Sequence, residues 1–233
     1  MTTFTLEREA LEAMPIFPLP DVVFFPGTLL PLHVFEPRYR KMLADCMESH
    51  RAMVVVRIRP GARSGPNGPA PAIEAIAGAG VVIRHEALPD GRSNILLAGL
   101  ARVALDELPF VAPYRRARCT VLSPIESPLS ELDRASLATA ATSFARAVKR
   151  RDPSFDVALP EDRGAPGLAD VCAAHLLASA DARQRALEEL DEAKRVRFVT
   201  RELAVQEASL RRNGADESDE RGERGEREKR TLH

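Results

Sequence analysis

Two stretches decide the fold: Met14-Pro-Ile-Phe-Pro-Leu-Pro-Asp-Val-Val-Phe-Phe-Pro-Gly27 and, two residues later, Leu30-Pro-Leu-His-Val-Phe-Glu-Pro-Arg-Tyr-Arg40. Six prolines lie between residues 14 and 38. A proline lacks the N–H that a helix interior needs, and it disfavours helical geometry in the residue before it. The short apolar runs between these prolines therefore predict extended segments near sheet edges or bulges. Pro37 suits a first helical position, so a helix is expected from there to about His50.

The remainder of the first half has the pattern of β-structure. Four segments are predicted to be strands, because their apolar side chains alternate with polar ones or form short apolar runs: 53–59, 81–86, 94–105 and 114–122. The first of these is expected to be half-buried, and the third to bend at Gly99. Cys119 and Val121 are expected to face inward. Asp90-Gly91 predicts a hairpin turn, because Gly accepts the positive φ that such turns require. The Gly/Pro-rich segment 60–72 is interpreted as a flexible loop.

The second half changes to a helical pattern. Ser127-Pro128 resembles an N-cap followed by proline, and apolar stripes with helical spacing follow. Residues 211–233 carry 7 acidic and 7 basic side chains and almost nothing apolar, which predicts a disordered tail. The expected organisation is an N-terminal extension, a β domain, a helical bundle and a charged tail, with the bounds 1–12, 13–122, 123–210 and 211–233.

Composition excludes several classes of protein. The formal net charge is −1, so the whole molecule is not an obvious polyanion binder. Cys46, Cys119 and Cys172 are odd in number and far apart, which disfavours a disulfide framework or a zinc site and favours a reducing compartment. The sequence has no apolar run of transmembrane length and no secretory signal pattern. A cytoplasmic protein without a cofactor or a membrane partner is therefore expected.

Motifs for catalysis are missing from the sequence. None of the four lysines follows a glycine, so the phosphate-binding Gly-Lys-Ser/Thr pattern does not occur. The Gly-x-Ser-x-Gly elbow of a serine nucleophile is also absent. No histidine pair has metal-ligand spacing. Cys172 lies one turn from His175, which fits either a thiol–imidazole pair or simple packing, and packing is the interpretation adopted. The protein is not expected to be an enzyme.

Two groups of residues are candidates for binding. Phe24, Phe25, Leu29 and Leu30 form an apolar surplus on a segment broken by prolines, which fits either core packing or a groove for extended peptides. The stretch from residue 31 to 40 fits either a partner-binding edge or a strand-to-helix corner. At such a corner the acidic residue would lie near the positive helix end and the two aromatic residues would pack inward. The corner is the preferred interpretation for its five signature residues: Pro31, Phe35, Glu36, Arg38 and Tyr39.

The two quoted stretches resemble the Lon substrate-binding (N-terminal) domain family. Weaker matches follow along the chain: Leu88-Pro-Asp-Gly-Arg92 with Asn94-Ile-Leu-Leu and Gly99, Pro113-Tyr114, Leu168-Ala-Asp-Val171, and Gln184 to Arg197. The resemblance covers about residues 13–210. It implies an α+β fold, with a PUA-like β pseudo-barrel followed by a helical bundle, and a role in engaging unfolded or tagged substrates. The AAA+ and Ser–Lys protease modules of Lon have no counterpart here, so a stand-alone bacterial member is expected.

Two binding functions follow as hypotheses. In the first, the chain recognises unfolded or extended polypeptide, as an adaptor to a protease or chaperone in protein quality control. In the second, it binds RNA, because PUA-like folds can do so and residues 13–122 carry a charge balance of +4. The arginines expected on strands are Arg57, Arg59, Arg115, Arg116 and Arg118. Scarce aromatic residues among them disfavour the RNA hypothesis.

Overall fold

The computed structural model describes the backbone of residues 4–62, 70–159 and 164–230, and side chains as far as residue 212. The first half contains two helices and six strands: α1 Arg8–Glu12, β1 Met14–Leu19, β2 Leu29–Val34, α2 Pro37–Glu48, β3 Ala52–Arg57, β4 Ile76–Ala87, β5 Ser93–Glu107 and β6 Arg116–Leu122. Four helices follow: α3 Glu131–Arg151, α4 Gly164–Leu176, α5 Ala180–Glu188 and α6 Glu192–Arg230.

The six strands form one sheet with the order β2-β5-β4-β3-β1-β6. The long strand β5 also pairs with β6, and this second pairing curls the sheet into a pseudo-barrel. The β1–β3 pair is parallel, and the other pairs are antiparallel. With the four helices that follow, this architecture confirms the predicted α+β class.

Strand β3 lies at the centre of the β half. All six of its residues are buried, because it is covered on both faces. Val54 and Val56 point into the barrel interior, whereas Met53 and Val55 pack against helix α2 through Met42 and its neighbours. The prediction of a half-buried strand was therefore wrong. Alternation in the sequence cannot reveal that a helix covers the second face.

A bent segment after β1 connects the two halves of the molecule. Phe24 belongs to the core beneath α2, whereas Phe25 belongs to the core of the helical bundle. The backbone of this segment crosses β4 and β5 at two glycines. A Cβ atom at Gly78 would lie 2.0 Å from the Phe24 carbonyl oxygen, and one at Gly99 would lie 2.0 Å from that of Phe25. Only glycine permits so close an approach between backbones.

Polar contacts join the pseudo-barrel to the helices. The guanidinium of Arg102 on β5 donates two hydrogen bonds to Asp170 of α4, at 2.6 and 3.0 Å, and a third to the Leu187 carbonyl at 2.8 Å. Gln184 of α5 donates through Nε2 to the Ile76 carbonyl at 3.0 Å. The two halves therefore share both an apolar core and a buried ionic contact.

Three further details differ from the predictions. The cap of α3 is Ser130, which forms a capping box with Asp133, whereas Ser127 instead binds Asp191 at 2.6 Å. Val121 is exposed, because the side of β6 on which it lies is not covered there. The backbone of residues 211–230 continues α6 as a helix where the sequence predicted disorder. Glutamate precedes arginine by four residues repeatedly in that segment, a spacing that favours helix.

The contact between Asp133 and Arg197 predicts a pH dependence of stability. Arg197 donates two hydrogen bonds of 2.9 Å to this carboxylate, and these bonds, with those from Ser130, lower the pKa of Asp133. A carboxyl group whose pKa is lower in the folded state than in the unfolded state stabilises the fold at a pH above its unfolded-state pKa of about 4. This contribution is lost as the pH falls toward the folded-state pKa. Asp133→Asn should therefore lower the urea midpoint at pH 7, and the deficit should shrink steadily below about pH 4. An equal deficit at every pH would show that the charge of Asp133 does not contribute.

Candidate functional site

Phe24 and Phe25 do not line a groove. Their side chains are 2% and 0% exposed, so of the two alternatives for these rings the structure shows core packing, and they are removed from the candidate peptide-binding group. The physical reason is the close crossing over Gly78 and Gly99, which places one ring in each core. Arg102 also lies 5.8 Å from the centre of the Phe25 ring. Both phenylalanines therefore hold the fold together.

Leu29 and Leu30 differ from the phenylalanines. Leu29 is 52% exposed, and Leu30 is half-buried against the core beneath α2. Both belong to β2, and the turn that precedes the strand is fixed by Thr28, whose Oγ1 donates to the Phe25 carbonyl at 2.7 Å. One member of the predicted group is therefore well placed to contact another molecule.

Strand β2 is an edge of the sheet. Among the described residues it pairs only with β5, in antiparallel register from Leu29↔Ala98 to Val34↔Ser93. The Thr28 carbonyl accepts from Gly99, and antiparallel ladders alternate every residue. Backbone groups of Leu29, Pro31 and His33 therefore face away from β5. Pro31 fits this position because a proline has no N–H to lose from the ladder.

The outer face of β2 is largely apolar. Leu29, Pro31 and His33 are exposed, and they alternate with half-buried or buried residues. Phe35 continues this surface with 58% exposure, and its ring stacks on His33 with 6.1 Å between centroids. The prediction that Phe35 packs inward was wrong, because the chain turns toward α2 directly after the strand and the aromatic core position is taken by Tyr39.

The strand-to-helix corner otherwise agrees with its prediction. Glu36 is the N-cap residue of α2 and accepts from the Arg38 Nε at 2.9 Å. Tyr39 is buried, with its ring 4.4 Å from that of Phe17 and the Arg38 guanidinium 4.5 Å above it. Burial raises the pKa of Tyr39. Glu36, Arg38 and Tyr39 therefore fix the end of β2 and the start of α2.

An open groove of about 420 Å³ lies beside the start of β2. Leu29 forms one wall, and the opposite wall comes from the segment before α4 and from α4 itself, with Val157, Leu159, Val171 and His175. The groove is mostly apolar, and it meets the edge of β2 at Leu29. This arrangement provides a surface for an apolar side chain next to backbone groups that face away from β5.

The arginines considered for nucleic-acid binding are largely neutralised. Four of the five form ion pairs: Arg57 with Asp181 at 2.6 Å, Arg59 with Glu74 at 3.3 Å, Arg115 with Glu107 at 2.5 Å, and Arg118 with Glu12 at 3.2 Å. Arg57 is also buried, although its strand position predicted exposure. These pairs reduce the positive potential that phosphate groups would require.

One buried charged cluster was not predicted. Arg102, Asp170 and Arg195 meet between β5, α4 and α6, and each is less than 10% exposed. The available signal was Asp170, a single acid inside the apolar stripe of α4. A buried charge needs a partner, but the sequence alone does not indicate which arginine provides it.

The family model of the ATP-dependent protease La (LON) substrate-binding domain matches residues 13–205. The chain belongs to this family. The Lon protease of Roseiflexus castenholzii is 29% identical over 193 residues, which are 81% of this chain and 23% of that protein. The Lon protease of Desulfosudis oleivorans is 26% identical over 200 residues, with coverages of 82% and 24%. The chain therefore spans about a quarter of the length of these relatives.

Solved structures share the fold. The N-terminal domain of Lon protease from the Mycobacterium avium complex superimposes with a TM-score of 0.60 at 13% identity, over 83% of this chain and 98% of that one. The Lon N-terminal domain protein of Xanthomonas campestris gives 0.57 at 22% identity, with coverages of 79% and 95%.

Two negative findings apply to the part of the chain that the structure describes. None of its helices is both long and apolar enough to cross a membrane. It contains no group of three or more His, Cys, Asp or Glu side chains arranged to hold a metal ion. All three cysteines are buried thiols, and burial raises the pKa of each to about 12.

Proposed function

We propose that this chain recognises unfolded or extended polypeptide through the outer face of β2 and the groove beside Leu29, with no catalytic step of its own. The observation that carries the proposal is an exposed sheet edge with an apolar outer face, formed by Leu29, Pro31 and Phe35. Membership in a family named for substrate binding supports it.

The geometry favours an extended ligand. Large apolar side chains exposed together are uncommon on soluble proteins and mark binding surfaces. Leu29 and Pro31 lie on the same face, about two residues of strand apart, or roughly 7 Å. A peptide in extended conformation presents its side chains with the same period, so alternate apolar residues of a client can contact this face together.

The same surface is suited to clients that lack a fold. A folded protein buries its apolar residues and satisfies its strand edges, whereas an unfolded segment leaves both available. The relatives are Lon proteases, which supports a function in protein quality control, with the chain as an adaptor that presents clients to a protease or chaperone. The three buried thiols fit a reducing compartment such as the cytoplasm.

Replacing Leu29 with aspartate tests the proposal. The substitution places a charge where an apolar client side chain would bind, so the affinity for a fluorescently labelled unfolded protein should fall at least about tenfold, or about 1.4 kcal/mol. Fluorescence anisotropy titration measures the affinity. The melting temperature should change little, because Leu29 is half exposed.

Leu132→Asp is the matched control, because Leu132 is 75% exposed on α3 and lies outside the proposed surface. It should bind the unfolded protein like the wild type. Equal affinities for the wild type and Leu29→Asp would contradict the proposal, as would tighter binding of RNA than of unfolded protein by the wild type at physiological salt.

A further inference from the structure

A second cleft lies where β5 and β6 meet α4 and α6. Its volume is about 440 Å³. The walls are mainly apolar and include Leu100, Val121, Pro124 and Pro166. Val121 is 44% exposed there. Clefts of this size, with apolar walls and a few polar groups, are typical of sites for small ligands.

The polar groups of this cleft are charged and buried. Arg102, Asp170 and Arg195 all line it and are 6%, 6% and 2% exposed. Two guanidinium groups share one carboxylate, so the buried set carries one positive charge in excess. Burial makes such an excess costly unless an anion approaches it.

Arg195 is incompletely satisfied within this set. It donates through Nη1 to the Glu189 carbonyl at 2.7 Å. Its Nε lies 3.0 Å from Asp170 Oδ1 but forms no hydrogen bond, because the N–H is not directed at that oxygen. A buried donor without an acceptor is rare in folded proteins and needs an explanation.

From this geometry we infer that the cleft binds a carboxylate carried on an apolar group, with the carboxylate beside Arg195 and Arg102 and the apolar group against Leu100 and Val121. The positive charge of the two guanidinium groups attracts a carboxylate. The apolar walls favour a ligand with an apolar body over a free phosphate, which is strongly hydrated on all sides. The C-terminal residue of a polypeptide and a small apolar carboxylic acid share this chemistry.

Glu192 is the feature that opposes an anion. It also lines the cleft, and it is half-buried. Its charge should weaken the binding of a carboxylate without abolishing it, because its partial exposure lets solvent screen it. Glu192→Gln should therefore bind the same ligand more tightly than the wild type does.

The test compares two probes of nearly the same shape, one with a carboxylate and one with a neutral amide in its place. Titration calorimetry of the full chain should give a dissociation constant for N-acetyl-leucine at least about tenfold lower than for N-acetyl-leucinamide. A short peptide that ends in leucine with a free carboxylate distinguishes a polypeptide C-terminus from a small acid as the natural ligand. Its binding is measured with the Leu29→Asp variant, so that β2 does not contribute. Tighter binding than N-acetyl-leucine assigns a polypeptide C-terminus, and equal binding assigns a small acid.

Two variants on one strand localise the site. Val121→Glu places a negative charge at the mouth of the cleft and should weaken the binding of N-acetyl-leucine at least about tenfold. Thr120→Glu adds the same charge at the neighbouring exposed position, outside the cleft lining, and should leave the affinity within about twofold. Equal affinities for the acid and the amide would overturn the inference, as would no binding of either or equal effects of the two substitutions.

Discussion

Asp170→Ala is expected to lower the free energy of unfolding by about 3–5 kcal/mol. Asp170 is the only acid in direct contact with the buried guanidinium groups of both Arg102 and Arg195 in the described part of the chain, at 2.6 and 3.0 Å. Its removal leaves two positive charges in a region from which water is largely excluded. Since the contact also joins β5 to α4 and α6, the loss should reduce the stability of both halves together. Urea unfolding followed by circular dichroism measures it.

The matched control for this prediction is Asp156→Ala. Among the described residues Asp156 forms only a long contact of 3.8 Å with Lys149, and its side chain is 91% exposed, so its removal should change the free energy of unfolding by less than about 0.5 kcal/mol. If Asp170→Ala cost as little as this control, the buried cluster would not be an important contact between the two halves.

The proline-rich stretch made much of the β half predictable. Pro37 marked the start of α2, and the observed end at Glu48 lies within two residues of the expected one. Asp90-Gly91 gave the turn between β4 and β5, where Gly91 has a φ of 79°. These features were visible because proline and glycine restrict the backbone locally, whatever the rest of the chain does.

The candidate site was predictable only in part, because burial depends on packing partners that are distant in sequence. Phe24, Phe25 and Leu29 look equivalent as apolar residues, yet only Leu29 is exposed. The useful signal was in β4 and β5: Gly78 and Gly99 lie within strands, where glycine marks a close backbone approach. The sequence predicted a bend at Gly99, but it did not indicate that the segment with Phe25 crosses there. Phe35 was misplaced for a similar reason, since Tyr39 four residues later fills the inward position.

Phe24→Ala and Leu29→Ala should separate the core of this segment from its binding surface. Phe24 is 2% exposed, so truncation should cost about 3–5 kcal/mol of unfolding free energy through lost burial and the cavity left beneath α2. Leu29 is half exposed, and its truncation should cost less than about 1 kcal/mol while weakening the binding of unfolded protein. Urea unfolding and anisotropy titration, both at low temperature where each variant remains folded, measure the two effects. A Phe24→Ala variant with unchanged unfolding free energy but reduced affinity for unfolded protein would show that this ring binds the client. A residue that affects binding only through the core must also lower the unfolding free energy when it is truncated.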